Sequence, residues 1–218
     1  MLALWWSVTA LAAVFVGVAG VAAWQAATHL NVDRILATAV ATSITAAAVI
    51  DVRLVGLTVI AAAVGSAVIA LLMRGGRQVV LTRTGALVSS WLLPAVAASS
   101  IVIAADRELG SAVILVWALL MYDAGVYLVG ADARGRLIGL IAGLGGAAAV
   151  VFTAVQLAVP PLDPERAWRF AVLLIATLPL GPALTRWLGH GDGWAVRRLD
   201  SAVVAAPAWA WATELVLG

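Results

Sequence analysis

Apolar runs of about twenty residues follow one another along this chain, and a bilayer core about 30 Å thick needs roughly 20 helical residues per crossing. A length of 218 residues then allows about eight short-looped crossings and no sizeable soluble domain. Lipid offers no hydrogen-bond partner to exposed irregular backbone, so every crossing is expected to be a helix. Only 11% of the residues are charged, less than half the share usual in a soluble domain. The expected fold is all-α: a polytopic membrane helix bundle of about eight transmembrane helices, with residues 1–218 forming a single integral membrane domain. Spans are expected at about 2–23, 35–50, 54–73, 85–105, 111–131, 137–159, 170–188 and 201–217. The second is short, and Asp51-Val52-Arg53 would join it to the third as a tight hairpin.

Charge placement gives an orientation. All thirteen basic residues are Arg, and nine of them fall in the odd-numbered loops. By the positive-inside rule those loops face the cytoplasm of a multi-pass cell-membrane protein, with both termini outside. The net charge of +2 is spread over loops, which fits a juxtamembrane bias and not nucleic-acid binding. With no Cys, disulfides, thiolate nucleophiles and Cys-ligated metals are excluded.

Of ten Trp, residues Trp5, Trp6, Trp24, Trp168, Trp187, Trp194, Trp209 and Trp211 lie near expected span ends, which suits an interfacial belt. Gly139, Gly143 and Gly146 recur at near-helical spacing and suit close helix packing. A phosphate loop there would need a strand and a Lys, and neither is present. Pro94, Pro179, Pro182 and Pro207 fall inside spans, where they are expected to kink the helix.

Two polar stretches call for explanation. Asp123 lies inside the fifth span, where an ionised carboxylate costs on the order of 2.5–3.5 kcal/mol. An Arg partner, a metal ion or a water-filled cavity could offset that cost. Tyr127, one turn on along the same face, either orients the carboxylate or anchors the interface. The second stretch, "GHGDGWAVRRLDS" at 189–201, ends with Asp200 and Ser201 at the mouth of the last span, where either could cap the helix. Capping leaves Arg197 and Arg198 unexplained. Asp123, Asp200 and the Arg pair at one membrane face would suit a divalent cation and a phosphate-bearing substrate, against the alternative of a solvated positive loop. His190, between Gly189 and Gly191, is a third ligand, a general base or a plain turn residue. "PPLDPERAWR" at 160–169 reads as an external loop of self-compensating charge.

In these two stretches the chain resembles the phosphatidate cytidylyltransferases, integral membrane enzymes that make CDP-diacylglycerol. Their Asp-x-x-Ala-Tyr-x-x-Gly signature is matched by Asp123, Tyr127 and Gly130, with Val126 in place of the Ala. Their C-terminal Gly-His-Gly-Gly, Asp-Arg-x-Asp-Ser and following apolar helix are matched by Gly189, His190, Gly191, Arg198, Asp200 and Ser201. The resemblance covers about residues 85–218, leaving 1–84 as N-terminal helices. Arg197 stands where the family has an Asp. The family's Ser-Pro-x-Lys-Thr-x-Glu-Gly segment has no counterpart, and "GPALTRW" has Pro182 and Thr185 in place of two acids.

The resemblance implies transfer of CMP from CTP to phosphatidate. Asp123 and Asp200 would be the catalytic residues and would hold Mg²⁺, while Arg136, Arg197, Arg198, Ser201, Tyr127 and His190 would bind substrate. Membrane lipids are expected partners and a homodimer is left open. The alternative is a catalytically inactive relative that binds lipid or assembles with other membrane proteins. A transporter ranks third, because no inverted repeat or pair of broken helices stands out in the sequence.

Overall fold

The computed structural model describes residues 7–72, 76–130, 136–189 and 194–217, apart from the side chains of Arg136, Trp194 and Arg198. All secondary structure among these residues is helical: α1 (Val8–His29), α2 (Arg34–Ile50), α3 (Val52–Leu72), α4 (Arg77–Arg107), α5 (Leu109–Val129), α6 (Arg136–Gln156), α7 (Ala167–Thr177), α8 (Leu180–Trp187), α9 (Trp194–Asp200) and α10 (Ala202–Leu217). Six units are long and apolar enough to cross a bilayer: α1, α3, α4, α5, α6 and the α7–α8 pair, as in a membrane-embedded protein. Helix α2, of 17 residues, and α10, of 16, fall short of that length.

Polar residues mark where these helices start and turn. Ser7 Oγ accepts from the Ala10 amide at 3.1 Å, and Asp33 Oδ1 accepts from the Leu36 amide at 2.9 Å, each capping a helix start. Asp51 alone separates α2 from α3, which is the tight hairpin expected from the sequence, and its Oδ1 accepts from the Arg53 amide at 2.8 Å. Glu108 closes α4 and caps α5, its side chain accepting from the Gly110 amide at 3.3 Å.

The core is built largely from alanine, which lets helix axes approach closely. Leu87, Trp91 and Ala95 of α4 pack with Ala23, Ala27, Ala37 and Ala41 of α1 and α2. Further along α4, Ala97, Ile101 and Ala104 join a second cluster with α5, α6, α7, α9 and α10. Helix α4 therefore ties the N-terminal helices to the C-terminal ones. Between α5 and α6 the packing is backbone on backbone: a Cβ on Gly143 would lie 2.6 Å from the Tyr122 carbonyl oxygen, and one on Gly125 would overlap the Gly143 amide. The expected close packing at Gly139 and Gly143 is present, with Gly125 and Gly130 as partners on the facing helix.

Two expectations need correction. Trp209 is fully buried and belongs to the core, whereas Trp24, Trp168, Trp187 and Trp211 are exposed as an interfacial belt requires. Broken helices, which did not stand out in the sequence, are present as a neighbouring pair. The seventh span is interrupted at Leu178–Pro179 and the last helical stretch at Ser201, and the two touch where Gly181 meets Asp200. Pro179 has no amide hydrogen to continue the helix, which accounts for the first break. In the 160–169 loop, Arg166 and Asp163 pair at 3.4 Å, the self-compensation expected there.

Candidate functional site

Asp200 and Ser201 sit at the joint between α9 and α10. Helix α9 is held from below by Ala195, Val196 and Leu199, all buried, while Arg197 on its other face is exposed. Its first turn is tied to α1, the Ala195 amide donating to Gln25 Oε1 at 3.0 Å. Helix α8 lies directly on the joint. A Cβ at Gly181 would overlap the Asp200 carbonyl oxygen, so glycine is what permits this approach. Ser201 is fully buried, and its Oγ makes no hydrogen bond among the described residues. A buried hydroxyl left so costs about 1–3 kcal/mol, unlike the satisfied majority of buried polar atoms.

A niche of about 10 Å³ opens beside Asp200, between Pro94 of α4, Thr185 of α8, Leu199 of α9 and Val203 of α10. That is room for about one water molecule. Thr185 is buried, but its hydroxyl points to its own helix, donating to the Gly181 or Pro182 carbonyl at 3.3 Å.

Asp123 is half-buried on α5, six residues or about 9 Å before the helix ends at Val129. Tyr127 is 73% exposed, whereas Tyr122 is 4% exposed. Arg186, counted in the sequence only toward loop charge, lies near the end of α8, with its Nε donating to the Pro182 carbonyl at 2.9 Å. It stands three residues before the family-like stretch that starts at Gly189, which is the one sequence signal that could have flagged it.

The ends of the bundle follow from the antiparallel succession. Arg107, at the end of α4, pairs with Glu214 near the end of α10 at 3.0 Å, so Asp200 and the Val129 end of α5 share the opposite face. Helix α8 borders the Asp200 niche through Thr185. Helix α5 contributes no residue to that niche. His190 lies outside the described residues, as do the side chains of Arg136 and Arg198.

The donor chemistry at the joint, one carboxylate beside one buried hydroxyl, is of the all-oxygen kind that suits Mg²⁺. Among the described residues no group of three His, Asp or Glu converges on a common point. A scan against protein-family models finds no match to this chain, and a search of curated proteins finds none either.

Proposed function

We propose that this protein is a divergent membrane nucleotidyltransferase of the phosphatidate cytidylyltransferase kind, acting at the cytoplasmic face of the cell membrane. In this reading α2 and α10 complete eight crossings, and the arginine-rich loops face the cytoplasm. What supports the reading is that the helix succession brings the Val129 end of α5, which carries Asp123, to the same end of the bundle as Arg186, Arg197, Asp200 and Ser201, whose hydroxyl makes no hydrogen bond among the described residues. An intramembrane carboxylate is by default a mark of a functional site, because its insertion cost has to be recovered in use.

The reaction is displacement at phosphorus. A phosphatidate oxygen attacks the α-phosphorus of CTP, the bond to the β-phosphate oxygen breaks, and pyrophosphate leaves with that electron pair. Catalysis of this kind is mainly positioning and charge stabilisation. Arg186 and Arg197 would hold phosphate oxygens, with Arg136, Arg198 and His190 as further candidates in the flanking loops. Asp123 and Asp200 are the residues that would hold Mg²⁺, which would supply charge stabilisation for the phosphates. The niche at Asp200 is far too small for a nucleotide, so CTP would approach from the water side of the joint.

The small niche, and the fact that no carboxylate cluster forms among the described residues, favour a second reading, an inactive relative that binds lipid headgroups at the same face. Purified protein with labelled CTP, phosphatidate and Mg²⁺ separates the two. The enzyme reading expects pyrophosphate release that is lost in Asp123→Ala and in Asp200→Ala. No release, together with retained phosphatidate binding, would establish the second reading instead.

A further inference from the structure

Away from that site, α1 and α2 leave a furrow of about 320 Å³ on the outside of the bundle, lined by Gly17, Gly20, Val21, Trp24, Thr38 and Thr42. Its floor is apolar because both threonine hydroxyls turn to backbone. Thr42 Oγ1 donates to the Thr38 carbonyl at 2.9 Å, and Thr38 Oγ1 to the Gly20 carbonyl at 3.4 Å. The methyl groups are left facing α1, where a Cβ on Gly20 would come 2.8 Å from Thr42 Cγ2. At Gly17 the furrow is open, with no atom within 4 Å of where a Cβ would stand. From Gly17 to Trp24 it runs about 10 Å along α1.

One end carries a positive charge. The Arg34 guanidinium stacks on the Trp24 ring, 5.1 Å from its centroid, and among the described residues it has no carboxylate within ion-pair distance. Asp33, its neighbour, points into the start of α2 as the helix cap. Trp and Arg at a helix end are the residues that sit at headgroup depth.

We propose that the furrow holds an acyl chain of an anionic glycerophospholipid whose phosphate rests on Arg34. The apolar trough takes the chain, Trp24 marks the level of the glycerol backbone, and the unpaired guanidinium selects negative charge. This site is separate from the Asp200 joint and does not depend on the reaction proposed there.

The test is native mass spectrometry of the purified full chain after incubation in vesicles of phosphatidylcholine and phosphatidylglycerol in equal parts. Wild type is expected to retain one phosphatidylglycerol in preference to phosphatidylcholine. Gly17→Leu puts a branched side chain into the trough from a position where a Cβ meets no atom within 4 Å, so it should lose the lipid at unchanged thermal stability, while Gly17→Ala keeps it. Arg34→Gln should keep a lipid but lose the preference for phosphatidylglycerol by about fivefold, the effect of one basic residue at an anionic surface. Equal retention by Gly17→Leu and wild type, or no preference in wild type, overturns the proposal. So does a wild-type dimer that Gly17→Leu converts to monomer with lipid retention unchanged, which would assign the furrow to a second copy of the chain.

Discussion

The two ends of α10 carry similar polar groups in opposite states. At the Leu217 end, Trp209 Nε1 donates to Ser111 Oγ at 2.8 Å and Thr213 Oγ1 donates to the Trp209 carbonyl at 2.9 Å. That leaves the Ser111 proton for the 2.9 Å contact with Thr213, so each group in the ring has a partner. Arg107 adds a clamp, its Nη1 donating to the Ala210 carbonyl at 2.9 Å and its Nη2 meeting Glu214. At the other end, Ser201 is just as buried but its hydroxyl makes no hydrogen bond among the described residues. A closed ring stabilises a helix contact, whereas an open buried hydroxyl costs stability.

Breaking the closed end should cost most. Trp209→Ala removes a fully buried ring packed edge-on against Phe170 at 4.7 Å and leaves Ser111 without its donor. It should lower unfolding stability by about 3–5 kcal/mol, read by thermal unfolding in detergent. Next comes Gly181→Leu, whose side chain has no room against the Asp200 carbonyl. It should cost about 1–3 kcal/mol and, by pushing α8 off the joint, abolish any ligand effect at Asp200. Arg107→Met should cost about 1 kcal/mol, because the Ala210 carbonyl loses a charged donor while Glu214, 58% exposed, stays hydrated. Retained wild-type stability in Arg107→Met would show that the clamp is incidental.

Much of the helical layout was legible from length and hydropathy. The Asp51 hairpin, the glycine seam at Gly139 and Gly143 and the neutral Asp163–Arg166 loop all follow from local spacing. Which face of each helix meets protein did not. Lipid tails are as apolar as Leu, so no hydrophobic stripe separates core from surface. Trp209 and Trp211, two residues apart, look alike in the sequence, yet one is buried and the other 62% exposed. The site was legible only as polar residues out of place. Asp123 stood out by insertion cost and Asp200 and Ser201 by their place at a helix mouth, but Gly181 joins Asp200 through contacts between distant segments. Nothing local in the sequence encodes those contacts.

The contrast between the two ends rests on two serines that differ in what their hydroxyls do. The direct measurement is thermal unfolding of wild type, Ser111→Ala and Ser201→Ala in the same detergent. Ser111→Ala breaks a closed ring and strands the Trp209 N–H, so it should lose about 1–3 kcal/mol, a fall in Tm of roughly 2–12 °C. Ser201→Ala replaces an unsatisfied hydroxyl with a methyl group, so it should leave Tm unchanged or raise it slightly. Equal losses in the two variants would contradict the account, because the Ser201 hydroxyl would then be holding the fold together.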